Sequence, residues 1–144
     1  MIVRIVPLRW DHYAACRALH EDVFDVWEQP KFWESWQARG DSYVAVQYGT
    51  IIGFILATNT KIMYICISPD FQGRGIGTQL LEKVIENKRS VHLVTAGDER
   101  LVRWYEKHGF KITGTHYNGS EFMGADMVLR QRCRSVSCFF KAGI

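Results

Sequence analysis

Apolar positions change their spacing repeatedly along the chain, and each change marks an element. Ile2 to Val6 alternates apolar and basic residues and predicts a first strand. From Trp10 to Phe24, Tyr13, Cys16, Leu19 and Val23 recur three or four apart, which predicts an amphipathic helix capped by Asp11. Pro30 opens a second helix through Phe32, Trp33 and Trp36, ending at Gly40. Tyr43 to Tyr48 and Ile51 to Thr58 are β-branched and apolar runs around Gly49-Thr50, which reads as a hairpin. Ile62 to Ile67 is a short buried strand, followed by a helix from about Gly75 to Lys88 with Leu80, Leu81, Val84 and Ile85 inward. Val91 to Ala96 is another buried strand. Asp98 then caps a helix through Leu101, Trp104, Tyr105 and Lys107, closed by Gly109. Phe110 to Tyr117 and Asp126 to Arg130 are the last strands, around a Gly-rich turn. This order predicts an α/β fold with a mixed, mostly antiparallel sheet flanked by helices. The strand–helix–strand unit from 62 to 96 is expected to be a parallel, right-handed crossover. Residues 1–131 read as one domain and 132–144 as an extension.

Composition changes this picture little. The 144 residues are 47% hydrophobic and 23% charged, with 12 Gly, 3 Pro and 4 Cys, which excludes disordered, collagenous and disulfide-framework classes. Such a length buries roughly 68–70% of the unfolded surface. Ser42 to Thr60 runs nineteen residues without a charge, but Gln47, Gly49, Thr50 and Asn59 interrupt it, so no membrane partner is expected. Arg4 and Arg9 break the apolar start well short of a signal-peptide core. Cys16, Cys66, Cys133 and Cys138 have no metal-ligand spacing, so reduced thiols, no metal and a cytoplasmic protein are expected.

Charge matters more by position than by sum. The net +3 is too weak to argue for nucleic acid. Yet Glu21, Asp22, Asp25, Glu28, Glu34 and Asp41 crowd one segment against only Lys31 and Arg39.

The richest stretch runs from Ser68 to Thr78, between a buried strand and an amphipathic helix: Ser-Pro-Asp-Phe-Gln-Gly-Arg-Gly-Ile-Gly-Thr. Glycines there let the backbone approach a ligand, and the helix start aims amides and its dipole at an anion. Arg74 adds a formal positive charge, so a phosphate or pyrophosphate site is inferred. A P-loop fails because Thr78-Gln79 follows where Lys-Ser/Thr is needed. A dinucleotide fingerprint fails at Leu80, and the strand is too far from the glycines.

At these residues the chain resembles the GNAT superfamily of acetyl-CoA-dependent N-acyltransferases. The family's pyrophosphate motif, Gln/Arg-x-x-Gly-x-Gly/Ala, is matched by Gln72, Gly75 and Gly77, with Pro69 before and Leu80-Leu81 after. Trp104-Tyr105-Glu106-Lys107-His108-Gly109-Phe110 is similar to the family's second motif. That motif usually opens with Asn and carries Ala three residues later, where this chain has Asp98 and Leu101. A family glutamate base would fall near Ile62, and no acid stands there.

The resemblance implies a GNAT-like fold with the crossover at the cofactor site, and acetyl-CoA as co-substrate. Family proteins splay a pair of parallel strands around the pantetheine arm. Ile65, Cys66 and Ile67 would pair with that arm, Gln72, Gly73, Arg74, Gly75, Ile76, Gly77 and Thr78 would surround the pyrophosphate, and Asp98 would lie by the pantetheine. Tyr105 would protonate the leaving thiolate. The base is open among Glu28, Glu34, His20, His116 and Glu121.

The family's first helices wall the acceptor site, so Glu28, Glu34, Trp27 and Trp33 are expected to meet an amine acceptor. Carboxylates beside aromatic faces suit a polyamine-like cation or a basic peptide. The alternative is a catalytically idle acyl-CoA-binding module. A nucleic-acid binder using Arg100, Arg103 and Lys107 is a weaker third. Phe139-Phe140 in the tail would otherwise expose apolar surface, so the tail is expected to pack on the domain or on a second copy in a homodimer.

Overall fold

The structure, a computed structural model, describes residues 2–24 and 29–131. It divides into two compact units, with the boundary between Glu86 and Asn87. Each is built around its own antiparallel sheet.

The first unit contains β1 (Arg4–Pro7), α1 (Tyr13–Val23), α2 (Gln29–Gln37), β2 (Tyr43–Gln47), β3 (Thr50–Ala57), β4 (Ile62–Ile67) and α3 (Ile76–Ile85). The strands lie in the order β1-β2-β3-β4, every neighbour antiparallel. Ile52 through Ala57 are all buried, as a strand covered on both faces must be. Val44, Phe54, Leu56 and Cys66 share a face and pack with Cys16 of α1 and Phe32 and Trp36 of α2. Alternation puts Ala45 and Ile55 on the other face, and α3 buries Ile76, Leu80, Leu81 and Val84 against the sheet.

Two local expectations were displaced by side-chain competition and backbone handedness. Asp11 does not cap α1, because its carboxylate accepts the Arg9 guanidinium at 3.1 and 3.2 Å within a 3₁₀ turn from Trp10 to His12. The hairpin turns at Tyr48-Gly49 rather than Gly49-Thr50; both have positive φ (49° and 75°), as a tight two-residue hairpin requires.

The second unit contains β5 (Ser90–Val94), α4 (Glu99–Lys107), β6 (Lys111–Asn118) and β7 (Glu121–Arg130), with strand order β5-β7-β6. Asp98 caps α4 as expected, its Oδ1 accepting the Arg100 amide at 2.9 Å, and Gly109 closes the helix at φ 94°. The last strand begins at Glu121, five residues before the predicted Asp126. Gly124 looked like turn chemistry, but it stands where a Cβ would collide with the Thr95 carbonyl of β5's end. It is a close backbone approach inside a strand.

The architecture is therefore α/β with antiparallel sheets. The expected parallel pair is absent from the ladders among the described residues, since Ile62–Ile67 and Ser90–Val94 belong to different sheets. Residues 132–144 lie outside the described residues, as do Trp27 and Glu28. No described helix is long and apolar enough to cross a membrane.

Candidate active site

The glycine turn follows directly from the end of β4. Pro69–Phe71 form a single 3₁₀ turn, and the Gln72 amide side chain reaches back to donate to the Ile67 carbonyl at 3.0 Å. That bond pins the loop to the strand. Gly73 (φ 77°) and Gly75 (φ 81°) both adopt left-handed backbone, a conformation that costs an L side chain roughly 1–2 kcal/mol. A Cβ on either would meet nothing within 4 Å, so the turn is open to solvent.

Gly75 is the N-cap of α3 and supplies no capping side chain, and no acid sits in the first turn. The first amides of a helix have no intrahelical partner. Ile76 and Gly77 open the helix with such amides, and the helix dipole adds to them. Arg74 is exposed beside them, its guanidinium 5.3 Å from the Phe71 ring centre. Turn and helix start thus place backbone amides and the positive end of a helix dipole on an exposed surface, chemistry that suits an anion.

β4 ends its sheet, so one edge of Ile65-Cys66-Ile67 has no ladder partner in it. Ile65 and Ile67 pair across the other edge with Ile55 and Gly53. The Cys66 side chain turns inward, 2% exposed, and its thiol donates to the Leu19 carbonyl at 3.5 Å. Burial, with the charge of Asp22 adding, pushes that thiol up to about 12, and burial does the same to Cys16. Neither is a nucleophile at neutral pH.

In the second unit, Tyr105 is 4% exposed, with the Trp104 ring 4.9 Å and the Phe110 ring 5.4 Å away. Burial raises its phenol above the ordinary range, so the proton stays on the oxygen at neutral pH. Asp98 spends one carboxylate oxygen on its helix cap.

A family profile described as an acetyltransferase (GNAT) domain matches residues 38–112, just over half of the chain. The chain belongs to the GNAT acetyltransferase family. It is 34% identical over 64 residues to a peptidyl-lysine N-acetyltransferase, YjaB of Salmonella typhimurium, a match spanning 44% of each chain. The chain thus spans less than half the length of that relative. Among solved structures it resembles Ard1 from Thermoplasma volcanium at a TM-score of 0.76 and 19% identity, covering 92% of this chain and 99% of that one. It also resembles Arabidopsis thaliana Naa50 in complex with a bisubstrate analogue, CoA-Ac-MVNAL, at a TM-score of 0.71 and 23% identity, covering 88% and 96%.

Around the α1–α2 segment of this GNAT domain, the expected acceptor residues separate. Glu34 is exposed on α2, as is Trp33 at 44%, whereas Phe32 and Trp36 are core residues at 0%. Glu21 is paired with Arg17 at 3.0 Å. Arg39, which sequence reasoning counted only as a charge, lies with its guanidinium 4.1 Å from the Trp10 ring centre and 5.4 Å from that of Trp36.

The base candidates separate too. His20 is fully buried against the rings of Phe24, Phe32 and Tyr64, at 4.5 to 4.8 Å, and is a core residue. Glu121 is exposed at the start of β7. His116 makes a 2.9 Å contact with Asp126, a residue that no sequence motif singled out. Their meeting depends on strand register, which leaves no local signal. Among the described residues no three His, Cys, Asp or Glu side chains gather as a metal site.

Proposed function

We propose that this chain moves the acetyl group of acetyl-CoA to a primary amine of a polypeptide, a lysine side chain or an N-terminus. The observation that carries the reading is the pair of left-handed glycines at the uncapped start of α3, pinned to β4 by Gln72. Amides from Gly73 to Thr78 and the Arg74 charge meet the pyrophosphate, and the unpaired edge of Ile65-Cys66-Ile67 offers backbone groups to the pantetheine arm. Cys66 contributes through its backbone alone.

Attack of the amine on the thioester carbonyl forms a C–N bond and breaks the C–S bond. The departing thiolate then takes a proton. Tyr105, held protonated by burial, is suited to give it. The polypeptide acceptor is supported by two similar proteins, one a peptidyl-lysine N-acetyltransferase and the other seen in complex with the bisubstrate analogue CoA-Ac-MVNAL. Glu34 and Trp33, exposed on α2, are suited to draw in a cationic acceptor.

The test is thiol release from acetyl-CoA across a panel of lysine peptides, N-terminal peptides, polyamines and anionic amines. Turnover with peptides and none with the anionic amines is expected. Tight acetyl-CoA binding with no thiol release from any amine would leave the idle binding module instead.

A further inference from the structure

The second unit holds a cavity that plays no part in acetyl transfer as proposed above. It encloses about 390 Å³ and is lined by Gly109, Lys111, Ile112, Thr113, Val128 and Arg130. All six residues lie after Asn87, so the cavity belongs to that unit alone. A volume of this size holds a small molecule.

Strand register explains how the cavity is built. Lys111 stands opposite Val128 of β7, and Arg130 is the next same-face residue along. The two cations are therefore diagonal neighbours over Val128, which is only 9% exposed. Simple alternation would send Ile112 and Thr113 to opposite faces. The ladder instead steps from Ile112–Met127 to Gly114–Asp126 and leaves Thr113 unmatched, a bulge that brings both consecutive residues to one cavity wall. The Thr113 hydroxyl donates to the Asp126 carbonyl at 3.3 Å, which holds the bulge in place. Gly109 adds backbone alone, so no side chain fills its corner.

The charge on this wall is uncompensated. Lys111 and Arg130 make no ion pair and no side-chain hydrogen bond among the described residues. On α4, by contrast, Arg100 lies 3.8 Å from Asp98 and Arg103 lies 3.9 Å from Glu99. The nearest acid by register, Asp126, is one same-face position from Val128 and is held by His116 at 2.9 Å. Like charges side by side on one sheet face oppose folding unless something between them supplies the countercharge. Side chains of the following segment do not supply it, since residues 131–144 contain Arg132, Arg134 and Lys141 and no Asp or Glu.

We infer that this cavity is a binding site for a small organic phosphate, a phosphate monoester on a short apolar or aromatic body. A monoester carries roughly −1.5 to −2 charge at neutral pH, which matches the two cations on one group. The Arg130 guanidinium takes two of its oxygens side by side, and the Lys111 ammonium acts as a point charge. Val128 and Ile112 receive the apolar body. A dicarboxylate fits less well, because its charges sit at separate ends and hold its body away from Val128. The site stands independently of acetyl transfer, and its test reads binding alone.

The experiment titrates phenyl phosphate, inorganic phosphate and succinate into the full chain, with and without saturating acetyl-CoA, following backbone amides by NMR and heat by calorimetry. Phenyl phosphate is expected to saturate one site, to shift the Lys111, Thr113 and Arg130 amides, and to bind more tightly than the other two anions. Lys111→Met and Arg130→Met keep an apolar stem over Val128 and remove one charge each, so each should weaken phenyl phosphate at least ~10-fold with acetyl-CoA affinity unchanged. Losing one of two like charges should leave each variant melting no lower than the parent, and Lys111→Arg, which keeps the charge, should bind as the parent does. Undiminished binding by both Met variants, or no binding at millimolar phenyl phosphate, overturns the proposal. Succinate binding as tightly as phenyl phosphate also overturns it, as does loss of the site on adding acetyl-CoA, which would make it part of the cofactor's own site.

Discussion

Gly75→Glu places a side chain where the backbone has φ 81° and where a Cβ meets nothing within 4 Å. Strain is the only folding cost, roughly 1–2 kcal/mol, so a melting temperature lowered by ~3–8 °C with the fold retained is expected. The binding cost is separate and larger. A carboxylate ~5 Å from a pyrophosphate charge, at an effective dielectric near 20, is opposed by ~3 kcal/mol. That alone raises the acetyl-CoA dissociation constant more than ~100-fold. Gly75→Ala carries the same strain without the charge, so it should melt alike and bind within ~10-fold of the parent. Calorimetry of acetyl-CoA with both variants, alongside melts, separates the two terms. Salt should narrow the difference between them, since the added repulsion is partly solvent-exposed. If folded Gly75→Glu binds acetyl-CoA as the parent does, the pyrophosphate does not sit at this turn.

Tyr105→Phe keeps the ring between Trp104 and Phe110 and should lower kcat by ~10²–10⁴-fold with acetyl-CoA affinity nearly unchanged; thiol release within three-fold of the parent would mean water protonates the thiolate. With Cys133 and Cys138 changed to Ser, the native protein should resist thiol-specific dye at pH 8, because thiols near 12 are thiolate at only ~10⁻⁴ there, and should label fully once unfolded. The same raised thiols ionise first in the unfolded chain, so urea melts should show stability intact below about pH 9 and declining toward about pH 12, less steeply for Cys16→Ala. Arg39→Met should cost ~0.5–1 kcal/mol of stability in urea melts and leave the acceptor KM unchanged; a KM several-fold lower would mean the Trp10 face is an acceptor subsite that Arg39 blocks.

What the sequence made legible depended on whether the signal was local. β4 falls on Ile62–Ile67 as predicted, because an apolar run between Lys61 and Pro69 has only one way to be bounded. The Asp98 cap and the Gly109 stop hold for the same reason, each residue acting on its own helix end. Asp11 failed as a cap because Arg9, two residues before it, competes for its carboxylate, and capping rules do not weigh that competition. Gly124 misled because glycine is needed both in turns and where two backbones crowd, and only the fold brings Thr95 against it. The His116–Asp126 pair was half legible: histidine announced itself, but its partner is set by a register that two ladder irregularities shift.

The same distinction bears on the acceptor. Interleaved acids and aromatics between Glu21 and Asp41 read as one surface for a cationic acceptor when only their order is known. Folding sorts them by depth. Phe32 and Trp36 go to the core, Glu21 goes to Arg17, and the exposed Trp10 face is filled by the chain's own Arg39. A cation–π interaction needs the ring face free, and an internal arginine holds it without the entropy cost of recruiting a ligand. Under the proposed reading, attraction for a cationic acceptor would then rest on exposed carboxylate charge rather than on ring faces, with Glu34 its clearest described source. Charge of that kind steers and is salt-sensitive, but it discriminates poorly among amines of equal charge. Selection between one peptide and another then has to come from backbone and side-chain contacts along the acceptor, which fits a polypeptide better than a small polyamine.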